Sequence, residues 1–156
     1  MTWLSKQGIP SSKSEQGSKD YDIIDINKVT YEVKNDEWFN KTNNLCIETI
    51  ENIYDKTKGW LFSSNADKIV YFTSEKDFFI FLRKDLLKFY NSNIGIYKEQ
   101  NCTFNPNVRF ILIPIWQIAV SINFRQITLQ DRGYSELLYL RGYESRYKET
   151  KYEARY

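Results

Sequence analysis

The stretch DYDIIDINKVTYEVKND, Asp20–Asp36, decides how this chain reads. It holds two short runs of β-forming residues, Tyr21–Ile26 and Val29–Asp36, on either side of Asn27–Lys28. A two-residue turn between such runs predicts a β-hairpin. In the second run Val29, Tyr31 and Val33 alternate with Thr30, Glu32 and Lys34. Successive strand side chains point to opposite faces, so the apolar set turns to a core while Glu32 and Lys34 share the other face. Asp22 lies on the first arm, where the hairpin brings it alongside Glu32. Two carboxylates and an ammonium are thus expected on one small surface. Asp20 and Asp25 compete with Asp22 for that place. Asp22 is favoured if Tyr21 and Ile23 face the core, but Ile24 breaks strict alternation.

Further strands follow. LCIETI (Leu45–Ile50) sets Leu45, Ile47 and Thr49 against Cys46, Glu48 and Ile50. GWLFSSNAD (Gly59–Asp67) leads into KIVYFT (Lys68–Thr73), and DFFIFL (Asp77–Leu82) comes next. Leu86, Leu87 and Tyr90 have helical spacing within Arg83–Ser92. VRFILIPIWQI (Val108–Ile118) reads as a strand ending near Pro114, because proline breaks a sheet ladder. Residues 9–20 read as a polar loop, Glu37–Asn44 as a loop or short helical turn, and Glu51–Lys58 as a charged loop. Ser121–Leu129 is ambiguous between helix and strand. From about Tyr134 the chain mixes charges of both signs with tyrosines, and a helix or semi-ordered tail is expected. The fold class is α/β or α+β: one domain over residues 1–156, with a mixed central β-sheet and few flanking helices.

Composition narrows the chemistry. A chain of 156 residues with 42% hydrophobic and 17% aromatic residues can bury a core, which argues against disorder. A formal charge of +2 means that any nucleic-acid contact must come from a local patch. The absence of histidine excludes serine triads and histidine-based nucleases, and leaves carboxylates as ligands for hard cations such as Mg²⁺ or Mn²⁺. Cys46 and Cys102 form no CxxC pair and read as reduced thiols. The longest apolar run, Phe110–Trp116, is too short to span a bilayer, and the N-terminus lacks a signal-peptide core. A cytoplasmic protein that does not enter membranes is expected.

An aspartate followed about ten residues later by Glu-x-Lys on an apolar strand resembles the PD-(D/E)xK nuclease superfamily, the restriction-endonuclease-like fold. Here those residues are Asp22 and Glu32-Val33-Lys34. The order YEVKND, NNLCIETI, GWLFSSNADKIVYF is also similar to small phage or bacterial nuclease-like proteins, over roughly Asp20–Phe72. The resemblance implies an endonuclease that hydrolyses DNA with Mg²⁺, or Mn²⁺ in its place. Asp22, Glu32 and the carbonyl of Val33 would hold the metal, and Lys34 would be the catalytic lysine. Glu48 would assist from the neighbouring strand, with Glu15 as an upstream glutamate. A homodimer, as small members of the superfamily commonly form, and a phage origin are further implications. The proline that precedes the aspartate in the family pattern is replaced by Tyr21.

Other residues have plainer readings. Ser63–Asp67 reads as a turn held by local hydrogen bonds or as an edge of a substrate cleft. Trp60 reads as a packing residue. Gln16, Lys19, Lys41, Lys56 and Lys58 are candidates for contact with a DNA backbone, although loop lysines are ordinarily only solvated. Two alternatives stand beside the nuclease. One is a non-catalytic module that binds nucleic acid or protein on the same fold. The other is a merely solvated charged hairpin, which applies if Asp22 and Glu32 point to opposite faces.

Overall fold

The computed structural model describes residues 11–13, 20–131 and 133–139, together with the backbone of 146–151. Among the described residues twelve strands form two sheets. They are β1 (Ser11–Lys13), β2 (Ile23–Asp25), β3 (Thr30–Asn35), β4 (Asn44–Asn52), β5 (Thr57–Lys58), β6 (Lys68–Phe72), β7 (Asp77–Leu82), β8 (Gln100–Asn101), β9 (Arg109–Pro114), β10 (Phe124–Gln130), β11 (Gly133–Tyr139) and β12 (Arg146–Lys151). Among the described residues four helices lie between them: α1 (Phe39–Thr42), α2 (Trp60–Ser63), α3 (Arg83–Ser92) and α4 (Ile115–Ala119). The larger sheet runs β1-β2-β3-β6-β7-β10-β11-β12 and the smaller β5-β4-β9-β8. This is an α/β fold with a large mixed sheet and few flanking helices.

β3 and β6 pair in parallel, which makes the large sheet mixed. A parallel pair needs a long crossover. Here the crossover holds α1, β4, β5 and α2, so it supplies half of the smaller sheet. The other half, β8 and β9, comes from the connection between β7 and β10. The small sheet is therefore built from insertions that fold back over one face of the large one. Leu45, Ile47, Ile111 and Ile113 from the small sheet share a core with Ile69, Tyr71, Phe79 and Phe81 from the large one. A second cluster on the large sheet joins Tyr31, Val70, Phe78, Ile80, Ile127 and Tyr134. The run Phe78–Phe81 is buried on both faces, which explains why DFFIFL shows no alternation.

Tyr71 ties the two sheets together. Its hydroxyl donates to Asp36 and accepts the backbone N–H of Cys46 on β4 at 3.0 Å. Burial, reinforced by the Asp36 carboxylate, holds this phenol far above its ordinary range.

Several expected boundaries differ. The hairpin turn is a four-residue loop, 26–29, with Lys28 at φ 62°. Asp25 stabilises it by accepting the N–H groups of Asn27 and Val29 at 2.8 and 3.0 Å. The polar segment 9–20 contains β1, paired with β2. The charged stretch 51–58 holds the end of β4 and the whole of β5 rather than loop throughout. Where a helix or loose tail is expected from Tyr134, the described residues form strands, β11 and β12, and the ambiguous 121–129 segment enters β10 at Phe124. β11 carries one charge, Glu136, and it pairs across the strands with Arg125 of β10. Cross-strand pairing of opposite charges is the sheet counterpart of helical i,i+4 pairs, and local sequence does not tell the two apart.

Candidate active site

Asp22, Glu32, Lys34, Glu48, Glu51, Trp60 and Ser63 line one cleft of about 130 Å³ between the two sheets. Its residues come from both arms of the hairpin, from β4 and from α2. Glu32 and Lys34 share a face of β3, and Glu32 Oε1 lies 2.7 Å from Lys34 Nζ. That face is not the open one. The partners of Glu32 and Lys34 on β6 are Ile69 and Tyr71, both in the larger core, and Glu32 is only 8% exposed. The expectation that the apolar face alone meets a core is corrected: both faces are covered, and the charged pair sits at the rim of the larger core.

Asp22 continues the hairpin beyond β2. Its N–H donates to the carbonyl of Tyr31 at 2.9 Å, and its Oδ2 accepts the N–H of Val33 at 2.7 Å. The carboxylate is thereby held against the Glu32-Val33-Lys34 backbone. The other two aspartates serve elsewhere. Asp25 braces the hairpin loop and accepts the Tyr31 hydroxyl at 2.9 Å, while Asp20 Oδ1 accepts the Asn65 side-chain amide at 2.9 Å.

Glu48 and Glu51 stand three apart on β4, a spacing that puts strand side chains on opposite faces. Two register shifts break the alternation. β4 carries Thr49 as an extra residue against β9, since Glu48 faces Phe110 and Ile50 faces Arg109. Against β5 the extra residue is Glu51. Bulges re-aim side chains in this way and gather beside sites. Burial pushes the Glu48 carboxyl above its ordinary value; Lys34 opposes the shift, and Glu51 and Glu32 add to it.

Trp60 reaches the cleft because α2 starts directly against β4. A Cβ on Gly59 would lie 1.8 Å from the Glu48 carbonyl oxygen, and the Gly59 N–H donates to the Thr49 carbonyl at 3.1 Å. The Trp60 ring is buried, and the Lys34 ammonium stands 5.9 Å from its centroid. The turn after α2 clamps the hairpin. Ser64 Oγ donates to the Asp20 carbonyl at 3.1 Å, and Asp67 Oδ2 accepts from both the N–H and the hydroxyl of Thr30 at 2.9 Å. Of the Ser63–Asp67 segment, only Ser63 lines the cleft.

Glu51 is a cleft residue that the sequence reading missed, whereas Ser63 belongs to the segment read as a turn or a cleft edge. Only the bulges, which leave no trace in composition, would have revealed Glu51. Lys58 is exposed on β5 opposite Ile50, next to Glu51. The Lys41 ammonium lies over the Trp38 ring at 4.3 Å. Glu15, Gln16 and Lys19 lie outside the described residues, as do most of the tail residues after Tyr139. Among the described residues, no three carboxylates or thiols converge closely enough to hold a metal ion as they stand, and no helix is long and apolar enough to cross a membrane. No family model matches the sequence, nor does any curated protein or any solved structure.

Proposed function

We propose that this cleft is the site of a metal-dependent endonuclease of the PD-(D/E)xK type that hydrolyses DNA phosphodiester bonds. One observation carries the reading: Asp22, the Glu32–Lys34 pair of β3 and Glu48 of β4, which come from three segments of the chain, line the same cleft. Four carboxylates and one ammonium line it, so its walls are net negative when ionised. Hard oxygen donors in such a setting suit Mg²⁺ or Mn²⁺. Asp22 and Glu32 would hold the ion with the Val33 carbonyl. Bound there, it would polarise a phosphoryl oxygen and acidify a water.

The chain's own groups then have distinct tasks. Lys34, released from Glu32, places its ammonium beside the phosphate and neutralises charge as it develops. The Val33 N–H holds the Asp22 carboxylate against the backbone between Glu32 and Lys34. Glu48, whose carboxyl binds its proton more tightly than an ordinary one, accepts or returns a proton within the cleft. Lys58, beside Glu51, is the better placed of the two lysines for a backbone phosphate, because Lys41 is engaged by Trp38. A homodimer that presents two such sites to two strands belongs to the same proposal, and light scattering reads it directly.

The test is incubation with supercoiled plasmid, linear duplex, single strands and a four-way junction under Mg²⁺, Mn²⁺ or EDTA. Metal-dependent cutting should disappear in Lys34→Ala and Glu32→Ala proteins that still melt cooperatively. Unchanged cutting in both variants sinks the mechanism. The closure of Glu32 on Lys34 and of Asp22 on Val33 favours one other reading, a non-catalytic module on the same fold. Under that reading no substrate is cut, and nucleic-acid binding is the same in Mg²⁺ and EDTA.

A further inference from the structure

The β4–β5 hairpin that carries Glu51 into the cleft ends in an exposed aromatic ring, and so does the loop beside it. Tyr54 is 81% exposed at the hairpin tip, and Phe104 is 85% exposed in the β8–β9 loop. Isolated exposed rings are ordinary. These two differ because both loops are braced and joined. The Ile53 N–H donates to the Asn107 carbonyl at 2.9 Å, linking one loop to the other.

Within the hairpin, the Tyr54 N–H donates to Asn52 Oδ1 at 3.0 Å, and the Thr57 N–H donates to Asp55 Oδ1 at 2.9 Å. Lys56 adopts a left-handed φ of 57° to close the turn. Within the β8–β9 loop, the Arg109 guanidinium donates to the Pro106 carbonyl at 2.7 Å, and the Asn107 N–H donates to Asn105 Oδ1 at 3.2 Å. The rings are therefore displayed on fixed backbone, so little ordering entropy is lost when something stacks on them.

Lysines stand beside Tyr54 on the same hairpin, while Asp55 accepts the Thr57 N–H and Glu99 accepts the Thr49 hydroxyl. Lys56 and Lys58 are exposed and form no ion pair among the described residues. Two rigid rings with ammonium groups alongside suit unpaired nucleotides: bases stack on the rings while lysines meet the phosphates. A fully paired duplex keeps its base faces stacked internally and offers little to such rings.

The geometry points to Tyr54 and Phe104 as a base-stacking platform that delivers single-stranded DNA, as a free strand or an unpaired flap, to the cleft at Glu48 and Glu51. The identity of the occupant rests on the nuclease reading above. Tyr54 stands three residues beyond Glu51 on the hairpin whose strand lines the cleft.

Fluorescence anisotropy in EDTA tests the platform apart from catalysis, using a labelled oligothymidine and a blunt two-strand duplex as probes. The oligothymidine should bind more tightly than the duplex. Tyr54→Ala and Phe104→Ala should each weaken oligothymidine binding roughly tenfold and leave duplex binding unchanged, since one stacked base is lost. Tyr54→Trp should retain binding. Both rings are exposed, so the alanine variants should melt with the parent. Parent-like affinity in both alanine variants, equal loss on both probes, or failure of the parent to bind oligothymidine overturns the platform. Cutting in Mg²⁺ is read separately: a protein that binds through the rings but never cuts refutes the nuclease alone.

Discussion

Replacing Gly59 by alanine should destabilise the protein by about 3 kcal/mol, against the sign that backbone conformation alone predicts. Gly59 has φ −64° and ψ 167°, an extended geometry open to any residue. On those angles alanine would stabilise by roughly 0.4–1 kcal/mol, because it restricts the unfolded chain. Packing reverses this. The added Cβ would lie 1.8 Å from the Glu48 carbonyl oxygen, where real contacts do not fall below 3.0 Å, so α2 and β4 must part by at least 1.2 Å. Backbone on the β4 side cannot rotate away as a side chain can. Overpacking of this kind costs about 1–3 kcal/mol, and the strained Gly59–Thr49 hydrogen bond adds about 1. The same shift lifts Leu61, which has no exposed surface, out of the core. At this chain length the loss corresponds to a melting-temperature drop of roughly 6–12 °C. Thermal and urea unfolding measure it. Gly95→Ala provides the contrast, with open space around it but φ +84°, and should cost only about 1 kcal/mol through its backbone. A Gly59→Ala protein as stable as the parent would refute the close approach that positions Trp60 and Glu48.

Three further outcomes follow from the site and its surroundings. The Glu48 carboxyl is raised in the folded state, so the native protein holds a proton there that the unfolded chain has already released. Stability should therefore fall as pH rises from the ordinary carboxylate value of 4.5 through the raised one. Glu48→Gln should remove that slope in urea titrations across the acid range and be the more stable protein at neutral pH; parallel pH profiles would contradict the burial. Tyr71→Phe should cost about 2–3 kcal/mol in urea unfolding, because the Cys46 N–H and the Asp36 carboxylate lose one shared partner, and a loss below about 0.5 kcal/mol would dismiss the bridge between sheets. Burial, with Asp36 and Glu48 nearby, pushes the Cys46 thiol up to about 12, so iodoacetamide at mildly alkaline pH should leave Cys46 largely unmodified by mass spectrometry. Rapid alkylation of the folded protein at that position would count against it.

Sequence pattern placed the elements whose signal is local. The alternation of Thr30–Asn35 put Glu32 and Lys34 on one face, and helical spacing marked Arg83–Ser92, because each is decided within one element. What alternation does not carry is which face has neighbours. Val33 and Tyr31 turn toward the cluster around Phe78 and Ile127, yet Glu32 and Lys34 also meet a core, supplied by β4 and β9 from elsewhere in the chain. The tail was misread for a related reason. Mixed charges with leucines suit a helix or an edge strand equally, and the choice was made by β10, which offered Arg125 to Glu136.

The same reasoning explains why half of the cleft was illegible. Asp22, Glu32 and Lys34 lie within one hairpin, whose arms pair Ile23 with Tyr31 and so carry Asp22 next to Glu32. Glu48 and Glu51 belong to a strand of the other sheet, and their common direction depends on two bulges defined only by the strands on either side. Without those bulges Glu51 would point away from Glu48, and the cleft would hold one carboxylate fewer. Thr49 is where the two requirements meet, since its carbonyl accepts the Gly59 N–H while its own position is the bulge against β9. The small sheet is therefore more than a cover for the core: it supplies the wall that turns a charged hairpin into an enclosed cleft, and its bulges set how many carboxylates that cleft contains.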